Sequence, residues 1–80
     1  MRLDKFLKVS RLIKRRTMAK EVCDASKVLV NGNPAKSGSQ VKAGDVIEFN
    51  LGSRKIKARI LQTPETIPAS KVAEIYELMD

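Results

Sequence analysis

The side chains of this sequence that could do chemistry are mainly cations, and they are concentrated at its beginning. Residues 1–20 contain eight lysines and arginines against one acid, a local charge of +7 that equals the net charge of the whole chain. The eight are Arg2, Lys5, Lys8, Arg11, Lys14, Arg15, Arg16 and Lys20. Such clustering is typical of proteins that bind the phosphates of a polyanion, and the plainer alternative is a solvated basic face. Because the cations are concentrated in the first quarter of the chain, the pattern favours phosphate binding.

The residues that most catalytic and metal-binding sites require are scarce or absent in this sequence. The sequence has no histidine and one cysteine, Cys23, so neither a zinc site nor a nucleophile activated by histidine is expected. No Walker-type or G-x-G-x-x-G loop is present to hold a nucleotide. Chemistry based on lysine stays open, but 80 residues are few for an enclosed pocket. We therefore expect neither an enzyme nor a bound cofactor or metal, and we expect Cys23 to be a small buried residue.

Length and hydropathy predict one small domain in the cytoplasm. No segment approaches the roughly 20 apolar residues that cross a bilayer. Arg2, Asp4, Lys5 and Lys8 interrupt the start of the chain before the apolar segment of a signal peptide could form. A single cysteine cannot form an internal disulfide, as is usual in the reducing cytosol.

Two short helices are predicted to carry the basic residues. In the first, Leu3, Phe6 and Leu7 fall on one stripe at helical spacing. The second is predicted from about Arg15 to Ala25, with the basic side chain of Arg16 at its beginning. Its apolar stripe is predicted to consist of Met18, Val22 and Ala25, with Ala19 and Cys23 beside them. Because a helix N-terminus presents free N–H groups, arginines placed there are suited to a phosphate.

The rest of the chain predicts a small, mainly antiparallel sheet and a last helix. Asn31-Gly32 follows a β-branched run and predicts a tight hairpin turn. Two later strands are predicted from alternating apolar residues, Ile47, Phe49 and Leu51 in one and Ile56, Ala58 and Ile60 in the other. The tail from Ser70 carries apolar residues at helical spacing, namely Val72, Ile75, Tyr76 and Met79. The predicted fold class is therefore α+β, with two N-terminal helices packed on the sheet and a C-terminal helix.

The second of these strands has a basic outer face. Lys55, Lys57 and Arg59 alternate with its apolar residues. They could form a second contact zone for a polyanion, or they could protect the edge of the sheet from unwanted pairing. The sequence leaves both interpretations open.

The order of the motifs resembles the RNA-binding domain first described in ribosomal protein S4. The likeness covers roughly residues 1–50 and includes R-L-D-K-F-L at residues 2–7, K-R-R-T at 14–17, V-N-G at 30–32 and A-G-D at 43–45. Within that family the chain is similar to the heat-shock-protein-fifteen branch, and in it to the RqcP-like group of short bacterial proteins. Two positions depart from the family pattern. Arg15 stands where a helix-capping Ser or Thr is usual, and Ser26 stands where a helix-ending Gly is usual.

The resemblance implies an RNA-binding domain over residues 1–62 and a C-terminal extension, expected to be helical, over residues 63–80. It also implies binding to the large ribosomal subunit obstructed by peptidyl-tRNA, with 23S rRNA and tRNA as partners. There the protein would support alanine tailing of stalled nascent chains by an RqcH-type factor, as a monomer and away from membranes. The alternatives are a general rRNA-binding or RNA-chaperone module, a small-subunit structural protein, or the appended domain of a pseudouridine synthase or tyrosyl-tRNA synthetase.

The resemblance also assigns the residues expected to bind RNA. They are Arg2, Asp4, Lys5, Arg11, Lys14, Arg15, Arg16 and Lys20. Asp4 is the one acid among them. It is expected to orient a neighbouring arginine, to accept a hydrogen bond from a base or ribose, or to cap the first helix.

Overall fold

The computed structural model describes residues 1–79 and places two α-helices before a five-stranded antiparallel sheet. The elements are α1 (Leu3–Val9), α2 (Arg16–Asp24), β1 (Leu29–Val30), β2 (Asn33–Pro34), β3 (Val46–Leu51), β4 (Arg54–Ile60), a 3-10 helix (Ala69–Glu74) and β5 (Tyr76–Leu78). The strands are ordered β2-β1-β3-β4-β5, and every neighbouring pair is antiparallel. The α+β class, the two N-terminal helices and the antiparallel sheet are thus confirmed. No helix within residues 1–79 has the length and apolarity needed to span a membrane.

Both helices form where the sequence predicts them, but the predicted apolar stripe of α2 is partly wrong. Leu3, Phe6 and Leu7 of α1 are fully buried, as expected. On α2, however, the buried residues are Ala19 and Cys23, whereas the side chain of Met18 is 47% exposed. The face of α2 that enters the core carries Ala19 and Cys23, one turn apart, and Met18 lies one residue away from that face. Ala25, also assigned to the stripe, is exposed and lies just beyond the end of the helix.

Helix α2 ends at a left-handed residue, as the family pattern predicts. Ser26 has φ +61°, and the Lys27 N–H donates to the Val22 carbonyl across it. A non-glycine residue in this conformation costs on the order of 1 kcal/mol. The Lys36 ammonium offsets part of this cost, since it donates to Ser26 Oγ at 2.9 Å and to the Asp24 carbonyl at 3.2 Å.

Two of the family motifs hold each other in the sheet. Asn31 and Gly32 form the predicted hairpin turn with φ +52° and +85°. The Asn31 amide donates to Asp45 Oδ1 at 3.1 Å, and Asn31 Oδ1 accepts the Val46 N–H at 2.9 Å. Asp45 also accepts the Lys42 N–H at 3.0 Å. The V-N-G and A-G-D motifs therefore join the hairpin to the start of β3, which is a structural role.

The predicted C-terminal α-helix is wrong. The segment from Ala69 to Glu74 is a 3-10 helix, and the residues after it form β5, which pairs with β4. An isolated helix of about ten residues is marginal, whereas an added strand satisfies the N–H and C=O groups along the open side of β4. Ile75 is completely buried at the junction, and its carbonyl accepts the N–H groups of Leu61 and Gln62. As a result β4 is an inner strand, not the edge strand that the sequence suggested.

Cys23 lies in the core between α2 and the rest of the domain, as expected. Burial, followed by the negative charges of Asp4 and Asp24, raises the pKa of its thiol to about 11. The thiol therefore stays protonated at neutral pH and packs as a small apolar side chain.

Candidate RNA-binding site

The beginnings of α1 and α2 meet at a buried carboxylate. Asp4, whose side chain is 2% exposed, accepts hydrogen bonds from Arg2 Nε at 3.2 Å and Arg2 Nη2 at 3.4 Å. Asp4 also contacts Arg16 Nε of α2 at 3.5 Å. Both arginine side chains are about half exposed, at 48% and 52%. The arrangement, called here the arginine pair, presents two guanidinium groups to solvent from one buried anchor.

Backbone hydrogen bonds fix the anchor in place. The Asp4 N–H donates to the Ser37 carbonyl, and the neighbouring Leu3 N–H donates to the Ser39 carbonyl. Asp4 Oδ1 also accepts the Lys5 N–H at 2.8 Å, so it satisfies one of the free N–H groups of the first turn of α1. No buried side-chain N or O atom in residues 1–79 lacks a partner.

The loop that contains Ser37 and Ser39, which accepts N–H groups of α1, is itself bound to the end of α2. The Ser37 N–H donates to Asp24 Oδ1 at 3.1 Å. This hydrogen bond from the Ser37 backbone is the main reason that the pKa of Asp24 lies below its ordinary value. The two helices are thereby fixed relative to each other at both ends of α2, and the arginine pair is held on a rigid base.

The arginine pair is suited to binding phosphate. A guanidinium group has five N–H donors in a planar fork, and Asp4 uses only part of each fork. Because Asp4 restricts the two side chains, less entropy is lost when a phosphate binds to the remaining donors. With two cations and one anion, the pair keeps a net charge of +1. Of the roles expected for Asp4, the geometry favours orienting arginines, together with a partial cap on α1.

The other predicted site residues lie in separate places. Lys5 forms an ion pair with Glu65, which lowers the pKa of that glutamate. Lys20 is exposed on the outer side of α2. The exposed side chains of Arg11, Lys14 and Arg15 line one pocket at the loop that joins α1 to α2, which Leu51 at the end of β3 also lines. The structure therefore brings together two sets of cations. One is the arginine pair and the other is the three cations of the pocket, and Lys5 and Lys20 belong to neither. Their contacts with RNA stay predictions.

Sequence reasoning missed the apolar part of that pocket. Leu12, Ile13, Met18 and Leu51 line it, and its volume is about 460 Å³. Leu51 was assigned to a half-buried strand and Met18 to the core. The apolar pair at residues 12 and 13, placed inside a basic run, was the one local signal of such a surface.

The basic residues of β4 are partly neutralised by acids on neighbouring strands. Lys55 Nζ lies 3.6 Å from Glu48 on β3, and an Arg59 Nη lies 3.8 Å from Glu77 on β5. These contacts reduce the positive potential of the strand. The geometry thus favours a solvated face over a second contact zone, and a substitution experiment can separate the two.

Changing Lys55, Lys57 and Arg59 together to Gln is expected to weaken RNA binding less than changing Arg2 and Arg16 to Gln. The strand variant loses three charges and the pair variant loses two, so charge alone predicts the opposite order. The measurement is pelleting with large ribosomal subunits at fixed salt. A greater loss in the strand variant would contradict this assignment of the RNA-binding face.

Comparison with known proteins agrees with the fold and with the motifs. Residues 1–47 match the S4 domain family, and the chain belongs to that family. It is 50% identical over 78 residues to the RQC P-site tRNA stabilizing factor of Halalkalibacterium halodurans, spanning 98% of this chain and 89% of that relative. It is 46% identical to the factor of the same name in Bacillus subtilis, spanning 99% of this chain and 92% of the relative.

A solved structure shows the same architecture. Heat shock protein 15 of Vibrio cholerae, whose structure is trimeric, superimposes with a TM-score of 0.91 at 28% identity, over 99% of this chain and 81% of that one. The resemblance to the S4 family and to its heat-shock-protein-fifteen branch is therefore confirmed.

Proposed function

We propose that this protein is an RNA-binding factor of ribosome-associated quality control that stabilises P-site tRNA on an obstructed large ribosomal subunit. The observation that carries the proposal is the arginine pair, in which Asp4 holds Arg2 and Arg16 together at the start of both helices. Relatives about half identical over nearly the whole chain are named RQC P-site tRNA stabilizing factors, which supports the same assignment.

In this proposal the protein positions RNA and catalyses no reaction. The arginine pair and the cations of residues 11–15 bind phosphates of 23S rRNA and tRNA, and the rigid α1–α2 base fixes their relative placement. The protein acts as a monomer in the cytoplasm. An RqcH-type factor then delivers alanyl-tRNA, and the nascent chain is extended with alanine while the tRNA is held in position.

Sedimentation tests the proposal directly. Cell extract is separated on a sucrose gradient, and the fractions are probed for the protein. Co-migration with free large subunits is the expected result. Co-migration with small subunits would instead indicate a structural or chaperone role there, and migration free of ribosomal particles would argue against both.

The affinity for large subunits is expected to fall steeply with salt. If about four to six phosphates are neutralised, the logarithm of the association constant falls with the logarithm of salt concentration at a slope of roughly −3 to −5. Changing Arg2 and Arg16 to Gln should make this slope shallower by about 2, one for each lost phosphate contact. The measurement is a binding titration at several salt concentrations. A slope near zero for the native protein would remove the electrostatic basis of the proposal.

A further inference from the structure

The pocket at the loop between α1 and α2 has exposed apolar side chains in its wall. Met18 is 47% exposed and Leu51 is 38% exposed, and they are two of the four large apolar side chains that residues 1–79 leave exposed. Leu12, which is half-buried, and Ile13, which is buried in the core, complete the apolar lining. A cavity of about 460 Å³ is within the usual size range of small-ligand sites. Grouping exposed apolar side chains in one concave place indicates a surface that a ligand covers.

The rim of the pocket is cationic. Arg11, Lys14 and Arg15 line it, their side chains are exposed, and none of them forms an ion pair with any residue from 1 to 79. The backbone of Arg11 is left-handed, with φ +61°. Arginine is a costly residue in that conformation, which glycine or asparagine would adopt more easily. The strained backbone at Arg11 supports a use for its side chain.

We propose that this pocket receives one unstacked nucleobase of the bound RNA, with the adjoining phosphates on the cationic rim. A nucleotide joins a flat ring with apolar faces to phosphates a few bonds away, and the pocket combines apolar side chains with cations on its rim. The inference rests on the proposed function, since it concerns the same RNA. Arg15 immediately precedes Arg16, so the pocket adjoins the arginine pair along the chain.

Aliphatic contact with a base would take the place of aromatic stacking, because none of the three aromatic side chains is fully exposed. Phe6 and Phe49 are buried in the core, and Tyr76 is half-buried on β5. Single-strand RNA-binding proteins usually stack bases on exposed aromatic rings. In this chain the thioether of Met18 and the side chain of Leu51 supply the apolar surface, and sulfur contacts with aromatic rings are favourable.

Three hairpin RNAs and three variants test the proposal. The RNAs carry a single unpaired adenosine, an abasic residue at the same place, or a fully paired stem. Their affinities are measured by fluorescence anisotropy. The native protein is expected to bind the unpaired adenosine about five to ten times more tightly than the abasic residue. Leu51→Ala is expected to lose this preference, and Met18→Ala, which favours helix formation, should lose it without disturbing the fold.

Leu78→Ala is the matched control. Leu78 is 60% exposed on β5 and does not line the pocket, so this variant should keep the preference for the unpaired base. Equal affinity of the native protein for the adenosine and abasic hairpins would overturn the pocket assignment. The proposed function would still stand after that result if the protein pellets with large subunits. A third result would also overturn the assignment. If the native protein shows no preference for the unpaired base and Leu51→Ala no longer pellets with subunits, the pocket binds a ribosomal protein instead of a base. Failure of the native protein to bind any RNA or subunit would overturn the proposed function itself.

Discussion

Asp4→Asn is expected to weaken binding to large ribosomal subunits about tenfold, although it removes a negative charge beside the arginine pair. By simple electrostatics, removing an acid from an RNA-binding surface should strengthen binding to phosphate. The structure predicts weaker binding instead, because Asp4 is 2% exposed and its negative charge orients Arg2 and Arg16. Asparagine can still accept the Lys5 N–H, but it cannot hold two guanidinium groups by charge.

The same substitution should also lower the free energy of unfolding by about 1–2 kcal/mol, since hydrogen bonds to charged groups are lost from a buried acceptor. The half-exposed arginines limit this loss, because water can solvate them in the variant. Thermal melting measures the stability, and pelleting at a temperature well below the transition measures the affinity of folded protein. This separates a loss of orientation from a loss of fold.

Glu21→Gln is the control for charge. Glu21 is exposed on α2 and does not contact either arginine, so its removal should leave binding unchanged or slightly tighter. If Asp4→Asn also tightened binding, Asp4 would be a simple electrostatic opponent of the RNA, and the arginine pair would not be organised by it.

The parts of the fold that the sequence predicted correctly are those decided by local patterns. The stripe of Leu3, Phe6 and Leu7 defines α1, and the positive φ values of Asn31 and Gly32 define the hairpin. Each of these depends on a few neighbouring residues, and its preference agrees with the tertiary structure.

The wrong predictions concern structure that depends on contacts with distant parts of the chain. The spacing of Val72, Ile75 and Tyr76 suits a helix, yet the open side of β4 makes a strand more favourable at Tyr76. The exposure of Met18 depends on which face of α2 is turned toward the core, and the sequence of the helix alone does not determine this.

The candidate site shows the same division. Arg2, Asp4 and Arg16 were each singled out from their motif, but no local pattern joins residue 16 to residue 4. Their meeting requires the path of the intervening loop, in which Arg11 takes a left-handed conformation. The pocket was missed for a related reason, because Leu51 reaches it from the far end of β3.

Arg16→Ala is expected to weaken binding to large subunits by about 1.5–3 kcal/mol, the scale of a charge-assisted contact. Arg16 is the first residue of α2, and its side chain is 52% exposed while one nitrogen contacts Asp4. In this variant Asp4 keeps its hydrogen bonds from Arg2 and from the Lys5 N–H, so the melting temperature should change little. Arg16→Lys should recover only part of the affinity, since an ammonium group cannot reproduce the two parallel hydrogen bonds of a guanidinium fork.

Arg59→Ala is the matched control for Arg16→Ala. It removes the same side chain from a position that is 46% exposed and also paired with an acid, Glu77, but on the sheet. Both variants lose one charge and one partly solvated ion pair, so a larger loss of binding in Arg16→Ala isolates the contribution of its position. Pelleting with large subunits measures this difference, and complementation of alanine tailing in cells measures its consequence. Equal binding by the two variants would mean that the protein senses only total charge, and a clear drop in melting temperature for Arg16→Ala would make Arg16 a structural residue.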